Sequence, residues 1–78
     1  MNEDNKIPLT TICARLERAI HCDVGMKGLD ILIYGWRHKF KIRDSKLRMR
    51  KINDGEAWLS YLELTSFSKY AGYDLTHD

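Results

Sequence analysis

The chain has 78 residues, of which 44% are apolar and 31% are charged, and its formal net charge is +2. A chain of this length forms one small domain that rarely encloses a deep substrate cleft, and its apolar fraction excludes wholesale disorder. No apolar run approaches the ~18 residues of a membrane span, and the polar N-terminus lacks the layout of a signal peptide, so we expect a soluble cytoplasmic protein.

The N-terminal part predicts a short arm followed by a helix. Residues 1–6 are polar and are expected to be flexible, whereas residues 7–76 are predicted to form a single domain. The apolar residues that follow the arm have helical spacing: Ile12, Leu16, Ala19 and Ile20. This helix is expected to end near residues 21–23, before Gly25.

A second helix is predicted over residues 29–36, where four apolar side chains share one face: Leu29, Leu32, Ile33 and Trp36. Residues 31–34 are also rich in strand-preferring types, which leaves a strand as the alternative. Gly35 costs a helix about 1 kcal/mol relative to alanine, so its presence here indicates close packing against a neighbouring element.

The stretch at residues 38–51 alternates apolar and basic side chains and admits two interpretations. A turn at Asp44 and Ser45 would make it a hairpin with one apolar and one basic face. Tight hairpins favour Asn-Gly or Asp-Gly pairs, however, and Asp-Ser stands here. Either residue is also a good helix N-cap, and Gly55 is well placed to follow a helix. We therefore favour a helix over residues 45–53, with the basic hairpin as the alternative.

The last apolar segment predicts a helix over residues 56–71 that holds the domain together. Gly72 is expected to end this helix, and Leu75 is expected to fold back onto the core. These segments together predict an all-α domain of four to five helices. A hairpin at residues 38–51 would instead make the domain α+β.

Positive charge is concentrated in one part of the chain. Residues 37–51 contain eight lysines or arginines and a single acid, Asp44, so this stretch carries +7 while the remainder carries −5. Such a distribution indicates a polyanionic partner, although a solvated charged face is the alternative.

Catalysis and metal binding are not predicted. The chain has no glycine-rich phosphate loop and no credible nucleophile–base set. Cys13 and Cys22 lie nine residues apart, which is not the spacing of a zinc site even when His21 and His38 are added. We therefore expect no enzyme activity, no metal and no cofactor.

The stretch from Ser45 to Leu75 resembles the Cro/phage-repressor (XRE-type) helix-turn-helix family. The matching positions follow the family's spacing without a gap: Ser45, Met49, Ile52, Gly55, Ser60, Tyr61, Leu64, Phe67, Ser68, Ala71, Gly72 and Leu75. The resemblance implies a helix-turn-helix bundle whose third helix enters the major groove of DNA. It also implies a sequence-specific double-stranded DNA-binding protein, a transcriptional regulator of the phage or mobile-element type that acts by occupying its operator.

The resemblance further implies which residues contact DNA. The residues of the groove-entering helix would be Ser45, Lys46, Arg48, Arg50 and Lys51. Within it, Lys46 and Arg50 share a face, and an arginine can donate two hydrogen bonds to guanine. The basic residues before this helix would contact phosphates and position the protein without reading sequence: Arg37, Lys39, Lys41 and Arg43.

Proteins of this family usually bind paired half-sites as dimers, so a homodimer is expected. The candidates for the dimer surface are Trp58, Leu59 and Leu62, each of which fits the core equally well. The competing functional interpretation is a protein-interaction module that inhibits or adapts another protein, either through the basic patch or through the surface at residues 58–62.

Overall fold

The structure, a computed structural model, describes residues 6–42 and 57–77. In chain order these residues form strand β1 (Lys6–Pro8), helix α1 (Leu9–Ile20), helix α2 (Gly25–Lys39), strand β2 (Trp58–Ser60) and helix α3 (Tyr61–Ala71). Helix α2 packs against both α1 and α3, while the two strands pair with each other and lie against α3. Among the described elements, α2 is therefore the helix against which both of the other helices pack.

The prediction of an all-α bundle of four to five helices is wrong. Within the described residues there are three helices and a two-stranded antiparallel sheet. The strands are short, and their register pairs Lys6 with Ser60, Ile7 with Leu59 and Pro8 with Trp58. A strand of three residues is too short to show an alternating apolar pattern. Because Trp58 and Leu62 also stand at helical spacing, the predicted last helix was extended over the residues of β2.

Helix α3 begins five residues later than predicted because a capping box ends the strand. Ser60 is both the last residue of β2 and the N-cap of α3. Its hydroxyl accepts a hydrogen bond from the Glu63 N–H (3.2 Å), and the Glu63 carboxylate accepts one from the Ser60 N–H (2.9 Å). This exchange satisfies two N–H groups that a helix start leaves free. Helix α1 also starts beside the sheet, where the Leu9 N–H donates to the Ala57 carbonyl (3.0 Å).

The alternative prediction of an α+β fold is partly correct. A sheet is present, but its strands are β1 and β2, and the predicted hairpin would have needed His38 and Lys39, which lie in α2. Basic side chains stabilise the C-terminal end of a helix, so the last turn of α2 suits these residues. The predicted helix over residues 45–53 lies outside the described residues, as do residues 1–5.

Helix α1 confirms the predicted N-terminal helix. It buries one apolar face, formed by Leu9, Ile12, Cys13 and Leu16. It ends where expected, at His21, which adopts the left-handed conformation with φ 57°. The chain then turns directly into α2, so the α1–α2 corner is short.

The corner between α1 and α2 is held by the Glu17 carboxylate. Its Oε2 accepts hydrogen bonds from the backbone N–H groups of Val24 and Gly25, each at 2.8 Å. These N–H groups belong to the start of α2, where no side chain of the helix itself provides a cap. Hydrogen bonds from the Gly25 and Val24 N–H groups lower the pKa of Glu17. A residue of α1 thus caps α2 and fixes the direction in which α2 leaves the corner.

Aromatic contacts hold α2 against α3. The rings of Trp36 and Phe67 meet edge to face with centroids 5.5 Å apart, and the Trp36 indole N–H donates to the Ser66 hydroxyl (3.0 Å). Gly35 allows the helices to approach, since a Cβ placed there would lie 2.5 Å from the Tyr70 hydroxyl oxygen. The close packing predicted from this glycine is confirmed.

The C-terminal segment closes the core as predicted. Gly72 ends α3 in the left-handed conformation, with φ 89°, and Leu75 is fully buried. The Leu75 N–H donates to the Ser68 hydroxyl (3.0 Å), and the Arg15 guanidinium of α1 donates to the Leu75 carbonyl (3.0 Å). The segment after α3 is therefore bonded to both α3 and α1.

Replacing Gly35 with alanine tests the close approach of α2 to Tyr70. The new Cβ would collide with the Tyr70 hydroxyl, and overpacking of this kind costs about 1–3 kcal/mol, so Gly35→Ala should lower the free energy of unfolding. In a Tyr70→Phe background the hydroxyl is absent, and the same change should stabilise by about 1 kcal/mol through helix propensity. Urea unfolding of the four proteins measures the coupling, and additive effects would contradict this packing.

Glu17→Gln should reduce the acid sensitivity of the fold. Because the pKa of Glu17 is lowered on folding, its contribution is complete above the pKa of an unfolded glutamate, about 4.3, and is lost as the pH falls through the lower folded pKa. The variant should be less stable at neutral pH and should lose less stability on acidification. Thermal unfolding across acidic and neutral pH measures both effects. The matched control, Asp30→Asn, removes an exposed carboxylate of α2 instead. An identical response of the two variants to pH would contradict the capping role of Glu17.

Candidate functional site

Three of the nine predicted DNA-contacting residues lie at the C-terminal end of α2. Arg37 and Lys39 belong to its last turn, and Lys41 follows two residues beyond Lys39. Lys39 and Lys41 are exposed, and Arg37 is half-buried. The other six lie outside the described residues: Arg43, Ser45, Lys46, Arg48, Arg50 and Lys51.

Two backbone hydrogen bonds fix the C-terminal end of α2. The Ile42 N–H donates to the Arg37 carbonyl (2.8 Å), and the Lys41 N–H donates to the His38 carbonyl (3.3 Å). This pair of bonds is the Schellman motif, in which the residue after the helix takes the left-handed conformation. That residue is Lys41, with φ 55°. Ile42 packs against the core, so the basic end of the helix is anchored to the body of the protein.

The net positive charge of the described residues is confined to this end of α2. Apart from Arg37, Lys39 and Lys41, they contain five lysines or arginines and five acids, whose charges cancel. At the opposite end of α2, which is 15 residues long and spans roughly 22 Å, the charges of Glu17 and Asp23 are balanced by those of Arg18 and Lys27. The excess positive charge of the described residues therefore lies at one end of the helix.

Helix electrostatics account for part of this arrangement. Cations in the last turn of a helix interact favourably with its partial negative charge, each by about 0.3–1 kcal/mol at the surface. Arg37 and Lys39 both lie in that turn. Lys41 lies just beyond it, at the left-handed position of the Schellman motif, where a non-glycine residue costs roughly 1–2 kcal/mol relative to glycine.

A hollow lies beside this basic end. It has a volume of about 430 Å³ and is lined by Tyr34, Arg37, His38, Lys41 and Ile42. The Tyr34 ring is 67% exposed and lies nearly parallel to the His38 ring, with an interplanar angle of 12° and centroids 6.2 Å apart. The hollow thus combines exposed aromatic faces with two basic side chains.

The sequence pattern alone did not mark Tyr34 or His38 as site residues. Tyr34 stands in an apolar segment, and His38 stands in a basic run. The signal that identifies them is their spacing of four residues within one helix, which places both on the face opposite the core. This signal depends on α2 continuing to Lys39, beyond the predicted end of the second helix.

The three candidates for a dimer surface have different environments. Leu59 is fully buried. It is therefore a core residue, which was the alternative interpretation of all three candidates. Trp58 is half-buried, and the Lys6 ammonium lies 5.0 Å from the centroid of its ring. Leu62 is 78% exposed on α3 and remains available for contact with another molecule.

The cysteines are free. Cys13 is buried in the core and Cys22 is exposed. Burial, together with the negative charge of Glu17, raises the pKa of the Cys13 thiol. Across residues 6–42 and 57–77 there is no group of three side chains suited to holding a metal ion. Over the same ranges no helix has the length and apolar character needed to cross a membrane.

No protein-family model, curated protein or solved structure matches the chain. The resemblance of residues 45–75 to the Cro/phage-repressor family therefore stays a prediction.

Substitutions at Lys41 separate its backbone conformation from its charge. Glycine adopts the left-handed conformation without the steric cost of a side chain, so Lys41→Gly should raise the free energy of unfolding by about 0.5–1 kcal/mol. Lys41→Ala also removes the ammonium group but keeps a Cβ, and should leave stability within about 0.5 kcal/mol of the original protein. Urea unfolding measures both, and equal stabilities for the two variants would contradict the left-handed assignment.

Proposed function

We propose that the protein binds double-stranded DNA through the basic residues at the C-terminal end of α2, together with the basic residues that follow them in the sequence at positions 43–51. The observation that carries this proposal is the segregation of charge. The net positive charge of the described residues lies at that end of the helix, at Arg37, Lys39 and Lys41.

The physical basis is the release of counterions from DNA. Duplex DNA carries one negative charge per about 1.7 Å of its axis, and each phosphate neutralised by a lysine or arginine releases condensed cations. Lys39 and Lys41 are exposed and close together in the chain. The Schellman bonds and the packing of Ile42 anchor the chain that carries them. Phosphate contacts from such an anchored end would orient the protein on the duplex.

The resemblance to the Cro/phage-repressor family supplies the finer proposal. Lys46 and Arg50 would contact base edges, and Arg48 and Lys51 would flank them. The protein would then be a transcriptional regulator that acts by occupying its site on DNA, as a homodimer on paired half-sites. The exposed Leu62 is the candidate for the dimer contact.

A protein-interaction module is the second candidate, because α2 exposes apolar side chains on the face opposite the core. Ile31 is 71% exposed and Tyr34 is 67% exposed, and the two lie one helical turn apart. Large apolar side chains at neighbouring surface positions are a common feature of sites that bind another protein. In this case the basic end of α2 would steer an acidic partner towards that face.

The proposal is tested by fluorescence anisotropy with a labelled random-sequence duplex over a range of salt concentrations. The double variant Lys39→Ala/Lys41→Ala removes two cations from the basic end of α2. It should make the slope of log K against log salt less steep by about 1.8, or about 0.9 for each phosphate that the variant no longer neutralises.

The matched control is the double variant Lys27→Ala/Lys69→Ala. It removes the same charge from exposed positions outside the basic end of α2 and should leave the slope unchanged. Equal effects of the two double variants would show that binding follows net charge and would contradict the assigned surface. Absence of binding even at low salt would overturn the proposal and favour a protein partner.

A further inference from the structure

We propose that the hollow at the C-terminal end of α2 is a subsite for an unpaired nucleotide of DNA, with its base against the aromatic side chains and its phosphate against the basic ones. This inference rests on the proposed function and narrows it. The protein would bind DNA that contains an unpaired position more tightly than a fully paired duplex.

The aromatic part of the argument begins with Tyr34. Its ring is 67% exposed, although the core-facing side chains of α2 are buried on the opposite face of the helix, at Leu29, Ile33 and Trp36. The Tyr34 ring stacks with the His38 ring, and both residues line the hollow. An exposed aromatic ring can bind a nucleobase by stacking, whatever the base.

The basic part of the argument rests on Lys41 and Arg37, which line the same hollow. An aromatic face that adjoins cations matches a ligand with a planar ring and a phosphate, which is the composition of a nucleotide. Lys41 is held there by the Schellman bonds in a left-handed conformation that is costly for lysine.

The size of the hollow agrees with this ligand. Its volume of about 430 Å³ lies within the range of roughly 300–1,000 Å³ that small-molecule sites occupy. Ile42 contributes an apolar side chain to the lining and is itself packed against the core. The lining therefore offers an apolar surface for a base as well as charges for a phosphate.

Discrimination between paired and unpaired DNA follows from which groups are accessible. A paired duplex offers its phosphates to the basic residues, but its base faces are stacked on one another. An unpaired nucleotide offers both its phosphate and a free base face. The exposed aromatic side chains at Tyr34 and His38 therefore contribute to binding only when a nucleotide is unpaired, whereas Lys39 and Lys41 contribute in both cases.

The test compares two labelled DNA probes in fluorescence-anisotropy titrations: a fully paired duplex, and the same duplex with three unpaired thymidines in a central bulge. Three variants of the full chain are used, all at exposed positions of α2. Tyr34→Ala removes the ring, Tyr34→Phe keeps the ring without its hydroxyl, and Ile31→Ala removes an exposed apolar side chain that does not line the hollow.

The original protein should bind the bulged probe more tightly than the paired one. Tyr34→Ala should lose roughly 5- to 150-fold in affinity for the bulged probe, the range for removal of one base stack, and should leave the affinity for the paired probe nearly unchanged. Tyr34→Phe and Ile31→Ala should bind both probes like the original protein. A requirement for the ring but not for the hydroxyl identifies stacking as the interaction.

The outcomes that overturn the inference are separate from those that overturn DNA binding itself. If the paired duplex is bound but Tyr34→Ala affects both probes alike or neither, the subsite is wrong while the proposed function stands. If Ile31→Ala weakens binding of the bulged probe as much as Tyr34→Ala does, the effect belongs to the apolar face of α2 and the subsite is again wrong. If neither probe is bound at low salt, the proposed function fails and the subsite fails with it.

Discussion

The edge-to-face contact between Trp36 and Phe67 is the interaction on which the arrangement of the helices depends. Both side chains are fully buried, and large aromatic residues bury about 150–250 Å² each. An edge-to-face pair of buried rings contributes about 0.5–1.5 kcal/mol beyond the burial of its area. The contact fixes α2 against α3, and the position of the basic end of α2 relative to the remaining surface follows from it.

Helix α2 also organises the electrostatics of the protein. The Glu17 carboxylate accepts hydrogen bonds at its N-terminal end, and lysine and arginine residues cluster at its C-terminal end. Both arrangements are favourable for the helix dipole. Charge that is available to a polyanion is therefore placed where it also stabilises the fold, so the basic cluster carries a smaller folding cost than it would on a strand or at the start of a helix.

Local patterns in the sequence predicted those parts of the fold that depend on neighbours along the chain. The buried face of α1, the buried face of α2, the close approach at Gly35 and the return of Leu75 all follow from spacing of a few residues. The sheet does not, because it joins Lys6 to Ser60 through strands of three residues, and nothing in either segment indicates the other. The candidate site was likewise predictable only in part. Its charges are visible in the sequence, but the Tyr34–His38 pair appears only once α2 is known to extend through Lys39.

Ser60 belongs to two elements at once, since it closes the register of β2 opposite Lys6 and caps the first turn of α3. No linker separates the strand from the helix, and the first residue of α1 bonds to Ala57 just before the same strand. Detaching the N-terminal strand would therefore disturb the starts of α1 and α3 together. Segments that share hydrogen bonds in this way are expected to open together, so β1, β2 and the first turns of α1 and α3 should behave as one cooperative unit despite the distance between them in sequence.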